Sequence, residues 1–338
     1  MISQEQARLG SERLIGLPTA RRPDIDGLKA FAIMGVVLIH IHSPGRLSSD
    51  CMLWVNWLKV LFGWCVMAFF FCSGLLTQQL PKNNLELGVW IGKRTKRLLL
   101  PCLVFSIAYK TALFLVTRTG WYDWKCLAPS TVEDWLSFFL IPVGPQFYFL
   151  PYLFAISSIC IAAATVIKRL WLVWMVVTAA HLTSGFGFNP PVQANGPAYM
   201  LLFSYAHCYM VGLAAEKIGV PVPRWLALNG ALGVLAAILL RTSFFLYPVV
   251  PLALWWLLQR FQELTSAIGR TQLGQRSGAV FVWHAPLLLP FCSIIAARLL
   301  VGRLDGIQVL LTVVTTIAFC YGCDQVTRRF RCFNLFRF

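Results

Sequence analysis

The sequence predicts an all-α integral-membrane protein, a bundle of about ten transmembrane helices. Of its 338 residues, 58% are hydrophobic and only 12% are charged, whereas soluble proteins have roughly 45–50% apolar and 25% charged residues. The mean hydropathy is +0.69 over the whole chain, so the apolar excess is distributed and not confined to one anchor. This composition excludes an ordinary soluble domain, a disordered chain, collagen and a coiled coil.

Ten apolar runs, each about 16–22 residues long, are sufficient to cross a bilayer. They are predicted at about 28–43, 58–80, 98–116, 146–167, 170–186, 198–215, 225–240, 243–259, 279–298 and 307–326. The longest pieces between or before them are 1–27 and about 117–145. We therefore expect a cytosolic leader at 1–27, a transmembrane domain at 28–326 and a basic cytosolic tail at 327–338.

An even number of spans places both termini on the same side of the membrane. Most of the 29 Lys and Arg residues fall in segments that are cytoplasmic if the N-terminus is inside, as the positive-inside rule requires. The formal net charge of +16 is thus explained by cytoplasmic loops, and we expect no nucleic-acid partner. The leader has no small-residue cleavage pattern, so no cleaved signal peptide is predicted.

The eleven cysteines fall mostly inside apolar runs, where cysteine packs as a small hydrophobic residue. The pair Cys320-x-x-Cys323 has neither a second pair nor a neighbouring His, so the pattern is weak for a redox or zinc site. No metal is predicted. Cys51 and Cys126 both fall in loops predicted outside the cytoplasm, which leaves a disulfide between them open.

The first predicted helix carries ionisable residues, which are functional candidates by default inside a membrane. Lys29 and His40 are eleven residues apart, which puts them on one helix face and about 16 Å apart along the axis. We expect Lys29 at the cytoplasmic mouth and His40 in the outer half, where its imidazole could act as a general base. A snorkelling Lys and a hydrogen-bonded His are the structural alternative. Asp26 lies about 21 Å below His40 and is predicted to pair with Lys29.

A second cluster, Arg94-x-x-Arg97, comes immediately before the third predicted helix. Residues three apart share a helical face, so two guanidinium groups would stand at the cytoplasmic surface. They suit the several phosphates of a coenzyme A or nucleotide ligand. A plain positive-inside anchor is the alternative.

Together these strings resemble the integral-membrane acyltransferase family 3. Asp26-x-x-Lys29-x10-His40 resembles its first-helix motif, and Arg94-x-x-Arg97 resembles its Arg-x-x-Arg before the third helix. Three further segments are similar to family motifs: Phe69–Leu76, which contains Ser73; Gly144–Leu150, in which Tyr148 stands where Trp is usual; and Phe281-Val-Trp-His284-Ala-Pro286. The resemblance extends over residues from about 20 to 326.

This resemblance implies an O-acyltransferase, most often an O-acetyltransferase, in the bacterial inner membrane. Its donor would be cytoplasmic acetyl-CoA or another acyl-CoA. Its acceptor would be a hydroxyl of a surface polysaccharide, a lipopolysaccharide or a lipid-linked sugar. It implies that His40 is catalytic, that Lys29, Arg94 and Arg97 bind the donor, and that Asp26, Ser73, Tyr148 and His284 support the site.

The position and the possible partners of the site follow from the same reading. His284 is predicted near the cytoplasmic start of the ninth span. Some relatives carry an additional extracytoplasmic domain, and this chain has no room for one, so a separate extracytoplasmic partner is an alternative to direct transfer. A different class of function is also open: a transporter or flippase that uses the same buried charges as a proton relay.

Overall fold

The computed structural model describes residues 22–41, 48–77, 79–118, 148–184, 198–240, 243–284, 288–299 and 305–329. Within these ranges all regular structure is helical, which confirms the predicted all-α class. The α-helices are α1 Pro23–Ile39, α2 Ser49–Leu61, α3 Cys65–Leu75, α4 Asn84–Arg94, α5 Leu100–Arg118, α6 Phe149–Ile167, α7 Leu170–Thr183, α8 Ala198–Lys217, α9 Val222–Leu240, α10 Val249–Arg260, α11 Gln262–Arg270, α12 Ser277–Trp283, α13 Leu289–Leu299 and α14 Asp305–Arg329. A π-helical turn, Thr95–Leu99, joins α4 to α5, and a 3₁₀ turn, Ser243–Leu246, precedes α10.

Four helical stretches in the described part of the chain are long and apolar enough to cross a membrane. They are Asp50–Leu75, Phe149–Ile167, Val222–Leu240 and Asp305–Val326. A fifth results if Phe244–Arg260 and Gln262–Arg270, bent by 101° at their junction, form one span. These stretches are those of a multi-pass membrane protein, and the number of ten spans stays a prediction.

Helix α1 begins at Pro23 and not at 28, for reasons that lie in its first turn. Proline is favoured at the first helical position because its fixed φ suits the helix and its missing N–H is not needed there. Asp24 and Asp26 follow in that turn, where carboxylates interact favourably with the helix dipole. The helix ends at Ile39, and His40 is its C-cap.

Helix α3 is the centre of the described bundle and packs against α8, α1 and α10. It crosses α8 with the two backbones in contact: a Cβ on Gly74 would lie 2.2 Å from the Tyr209 carbonyl oxygen, and one on Gly212 would lie 2.2 Å from that of Phe71. Only glycine permits such an approach, as at other close helix crossings in membranes. The crossing fixes the position of Ser73, one residue before Gly74.

Two amphipathic helices, α4 and α11, fall where the sequence predicts only inner connections between spans. Asn83 caps α4 by accepting a hydrogen bond from the Glu86 N–H at 2.9 Å, and the Glu86 carboxylate accepts one from the Lys82 N–H at 2.9 Å, an arrangement close to a capping box. The mean hydropathy of α4 and of α11 is too low for a search based on apolar runs to find these helices, because one face of each helix is polar.

The predicted ninth span, 279–298, is not one continuous α-helix. Helix α12 ends at Trp283, and α13 resumes at Leu289. The Tyr109 hydroxyl of α5 lies 3.0 Å from the Val282 carbonyl oxygen and 3.1 Å from that of Trp283, to which it donates. These contacts join α5 to the end of α12, next to His284.

Candidate functional site

Two histidines from different helix ends are in contact. The rings of His40, at the end of α1, and His284, at the end of α12, have centroids 5.1 Å apart and planes inclined at 63°. His40 Nδ1 lies 2.7 Å from the Val36 carbonyl oxygen, and His284 Nδ1 lies 3.0 Å and 2.8 Å from those of Val280 and Phe281. Because a carbonyl only accepts hydrogen bonds, Nδ1 carries the proton in each neutral ring, and Nε2 is the basic nitrogen.

The contact corrects the predicted positions of the two histidines. The sequence predicts His40 in the outer half of the membrane and His284 near the cytoplasmic start of a span, yet their rings are in contact. The predicted separation came from position along each apolar run, which does not determine which levels of two helices meet in the bundle. His284 follows the short helix α12 and is fully buried.

Four of the predicted site residues line one pocket of about 160 Å³. Lys29 comes from α1, Ser73 from α3, Arg94 from the end of α4 and Arg97 from the π-helical turn. Arg94 Nη2 donates a hydrogen bond of 2.7 Å to Ser73 Oγ, and its guanidinium lies 5.1 Å from the centroid of the Trp90 ring. The structure therefore brings the three predicted donor-binding cations together.

The pocket carries a positive charge that the described residues lining it do not balance. Among the described residues that line it there are three cations and no carboxylate. Burial lowers the pKa of the Arg94 guanidinium, and Arg97 adds to that effect. The Arg94 Nε atom is buried without a hydrogen-bond partner in the described part of the chain. An anion placed between these groups would relieve their repulsion and supply the missing acceptor.

Three phenylalanine rings also line this pocket, and one of them contacts a histidine. Phe69 of α3, Phe149 of α6 and Phe281 of α12 line it, and their ring centroids lie 4.9–6.1 Å from one another. We call these three residues the phenylalanine wall. Phe281 also lies edge-on to His284, with 5.9 Å between the centroids. Contacts thus run without interruption from the cationic pocket through Phe281 and His284 to His40.

The remaining predicted residues lie outside the pocket. The Tyr148 hydroxyl shares a hydrogen bond of 3.1 Å with that of Tyr205, and the preceding residues 144–147 lie outside the described ranges. The backbone of Asp26 lies against Gly274, since a Cβ on that glycine would meet the Asp26 carbonyl oxygen at 1.8 Å. Cys51 is a free thiol, and Cys126 lies outside the described residues.

Sequence reasoning selected Asp26 and missed Asp24, whose carboxylate belongs to a network that joins three helices. Arg22 donates to both Asp24 oxygens, at 3.1 Å and 2.9 Å, and Trp255 Nε1 donates to Oδ2 at 2.8 Å. Arg22 also pairs with Glu216 at 2.8 Å. Burial raises the pKa of Asp24, but the hydrogen bonds from Arg22 and Trp255 outweigh burial and lower it overall. The spacing Arg22-x-Asp24 was the available signal; the Trp255 contact has none in the sequence.

With this geometry established, comparison with known proteins identifies the family. A family model described as an acyltransferase domain, the acyltransferase 3 type, matches residues 22–324. The chain belongs to acyltransferase family 3. Neither a curated protein nor a solved structure matches this acyltransferase. The match contains both the cationic pocket and the two histidines, and it favours a membrane acyltransferase over the transporter considered from the sequence.

Proposed function

We propose that this acyltransferase moves an acyl group from cytoplasmic acyl-CoA, with acetyl-CoA as the leading donor, to a hydroxyl of a cell-surface or lipid-linked glycan. The observation that carries the proposal is the arrangement of three cations in one pocket, joined through Phe281 and His284 to His40. In this proposal the protein lies in a bacterial inner membrane with both termini in the cytoplasm.

The cationic pocket is suited to the phosphates of coenzyme A. Guanidinium groups bind phosphate oxygens through two parallel N–H donors, and ammonium groups bind them as point charges. Arg94, Arg97 and Lys29 supply both kinds of donor within one pocket. Ser73 holds the Arg94 side chain in place through its 2.7 Å hydrogen bond, so the guanidinium is oriented before a ligand arrives.

The separation between the pocket and His40 supports a donor with a long arm. Lys29 and His40 lie on the same helix and are about 16 Å apart along its axis. The pantetheine arm of coenzyme A has about twelve bonds between its phosphate and its sulfur, equal to about four extended residues or roughly 14 Å. Phosphates held near Lys29 would therefore place the thioester near the depth of His40.

The proposed reaction uses His40 Nε2 as the base. His40 Nδ1 donates to the Val36 carbonyl, so Nε2 is the nitrogen with the lone pair, and it would take the proton of the acceptor hydroxyl as the hydroxyl oxygen attacks the thioester carbonyl carbon. The new C–O bond forms, the C–S bond breaks, and the leaving thiolate receives the proton from His40. Positioned proton transfer of this kind contributes about 10²–10⁴-fold to rates.

The position of His40 is the basis on which the acceptor and any partner are proposed. His40 stands about three helical turns beyond Lys29, so an acceptor would reach it from the side of the membrane opposite to the donor. A lipid-linked or surface glycan meets that requirement. Transfer would be direct or would continue through a separate extracytoplasmic partner.

Mass spectrometry of surface and lipid-linked glycans tests the proposal in cells. Five strains are compared: cells with the wild-type protein, His40→Ala, Arg94→Ala with Arg97→Ala, Arg260→Ala, and cells without the protein. Arg260→Ala, which removes a guanidinium that lies over Trp256, is the matched control. We expect an acyl mass increment with the wild type and the control only. Glycans identical in all strains would contradict the proposal.

A further inference from the structure

The phenylalanine wall lines the cationic pocket, and one of its rings contacts His284. Its three rings come from three helices and are in mutual contact, and all three line the cationic pocket. His40 and His284 are not among the residues that line that pocket. In the proposed site, the donor's phosphates would lie in this pocket and its reacting carbon near the histidines, with Phe281 between them.

Phe281 is the member of the wall that connects both sides. Phe281 lines the pocket, and the centroid of its ring lies 5.9 Å from that of the His284 ring. Its backbone carbonyl accepts the hydrogen bond of 2.8 Å from His284 Nδ1. The side chain is 4% exposed. In the proposed site, a donor arm that extends from the cationic pocket toward His40 would run alongside this ring.

The space available to the donor is small. The pocket measures about 160 Å³, whereas pockets for small molecules commonly measure about 300–1,000 Å³. The neighbours of Phe281 are tightly packed, since Val280 and His284 are fully buried. Additional methylene groups inserted into such packing force side chains and backbone to move, which is unfavourable. A short acyl group requires the least displacement.

We propose that Phe69, Phe149 and Phe281 determine the length of the acyl chain that the enzyme accepts, admitting short acyl groups such as acetyl and disfavouring long ones such as octanoyl. The inference rests on the proposed coenzyme A donor. It assigns the wall a role that is separate from phosphate binding by the arginines and from proton transfer by His40.

Equilibrium binding to the purified protein in lipid nanodiscs tests this role. The probes are acetyl-CoA, octanoyl-CoA and adenosine 3′,5′-bisphosphate, which has the charged end of the donor without its arm. We expect the wild type to bind acetyl-CoA more tightly than octanoyl-CoA. Phe281→Leu and Phe69→Leu should reduce the ratio of the octanoyl-CoA Kd to the acetyl-CoA Kd by about fivefold, as expected for space equal to about one methylene group. The bisphosphate Kd should stay unchanged, which also shows that the variants are folded.

Phe71→Leu is the matched control, because Phe71 is a fully buried ring of the same helix that contacts Trp255 and does not line the pocket. An unchanged Kd ratio in both wall variants would overturn the inference, as would an equal change in Phe71→Leu. A wild type that binds none of the three probes would overturn the coenzyme A donor itself and this inference with it. Tight bisphosphate binding with an unchanged ratio would overturn the role of the wall alone.

Discussion

The imidazole rings of His40 and His284 stand edge to face, with centroids 5.1 Å apart, although one ends the first helix and the other follows the twelfth. Two positively charged rings at this distance would repel each other. His40 is half-buried, whereas His284 is fully buried with its Nδ1 held by two carbonyls. His284 is therefore suited to position His40.

The variant His284→Asn tests this positioning role. The Asn amide can donate to the carbonyls of Val280 and Phe281 as Nδ1 does, but it lacks the ring that contacts His40. We expect kcat to fall about 10-fold while KM for acetyl-CoA changes little, since the loss lies in proton transfer, which contributes about 10²–10⁴-fold in total. Steady-state release of thiol, with a glycolipid extract as acceptor, measures both constants. An unchanged kcat would contradict the role.

Replacing Arg94 and Arg97 by Lys tests the geometry of phosphate binding. Lysine keeps the charge but not the planar fork that binds two phosphate oxygens at once. We expect KM for acetyl-CoA to rise about 10-fold for the double variant, equal to about 1.4 kcal/mol, with kcat nearly unchanged. Acetyl-pantetheine, a donor without the nucleotide phosphates, should be used equally well by the wild type and the variant. A larger loss with acetyl-pantetheine than with acetyl-CoA would contradict phosphate binding here.

The glycine crossing of α3 and α8 predicts a loss of stability on substitution. A Cβ on Gly212 would lie 2.2 Å from the Phe71 carbonyl oxygen, so Gly212→Ala should push two backbones apart at a cost of about 1–3 kcal/mol. Gly88→Ala is the control, because Gly88 is helical and a Cβ there meets nothing within 4 Å. Thermal unfolding in detergent should show a lower Tm for Gly212→Ala and no decrease for Gly88→Ala. Equal Tm values would show that the helices do not cross this closely.

The Asp24 network predicts how stability depends on pH at the start of α1. Because its folded pKa lies below the model-compound value of 3.8, ionised Asp24 contributes its full stability above that value and loses it as the pH falls through the lower, folded pKa. Asp24→Asn should cost about 1–3 kcal/mol at pH 7 and remove this part of the acid dependence. Unfolding curves between about pH 3 and 7, with exposed Asp50→Asn as the control, measure it. A loss no greater than that of the control would contradict the network.

The sequence predicts well the features that depend on composition or on residue spacing within one helix. Apolar content predicts the all-helical membrane class, and helical periodicity relates Lys29 to His40 and Arg94 to Arg97. Contacts between helices are different, because they depend on which faces meet in the bundle. The contact of His40 with His284 and the phenylalanine wall leave no local pattern.

The elements that the sequence misses have a common physical cause. Helices α4 and α11 are amphipathic, so a criterion based on the length of apolar runs overlooks them. The same criterion predicts one span over 279–298, although α12 ends at Trp283 and α13 begins at Leu289. The bond from Trp255 to Asp24 connects residues of α10 and α1 that only the fold brings together. Resemblance of motifs, and not periodicity, placed Ser73 and His284 among the candidates.

Acyl transfer by the purified protein tests the central claim most directly. The protein in nanodiscs is incubated with acetyl-CoA labelled in its acetyl group and with a glycolipid extract from cells that lack the protein. We expect the label to pass into the glycolipid with the wild type and not with His40→Ala, while His40→Ala still binds acetyl-CoA with the wild-type Kd. Transfer by His40→Ala at the wild-type rate would contradict the assignment of His40 as the base on which this account depends.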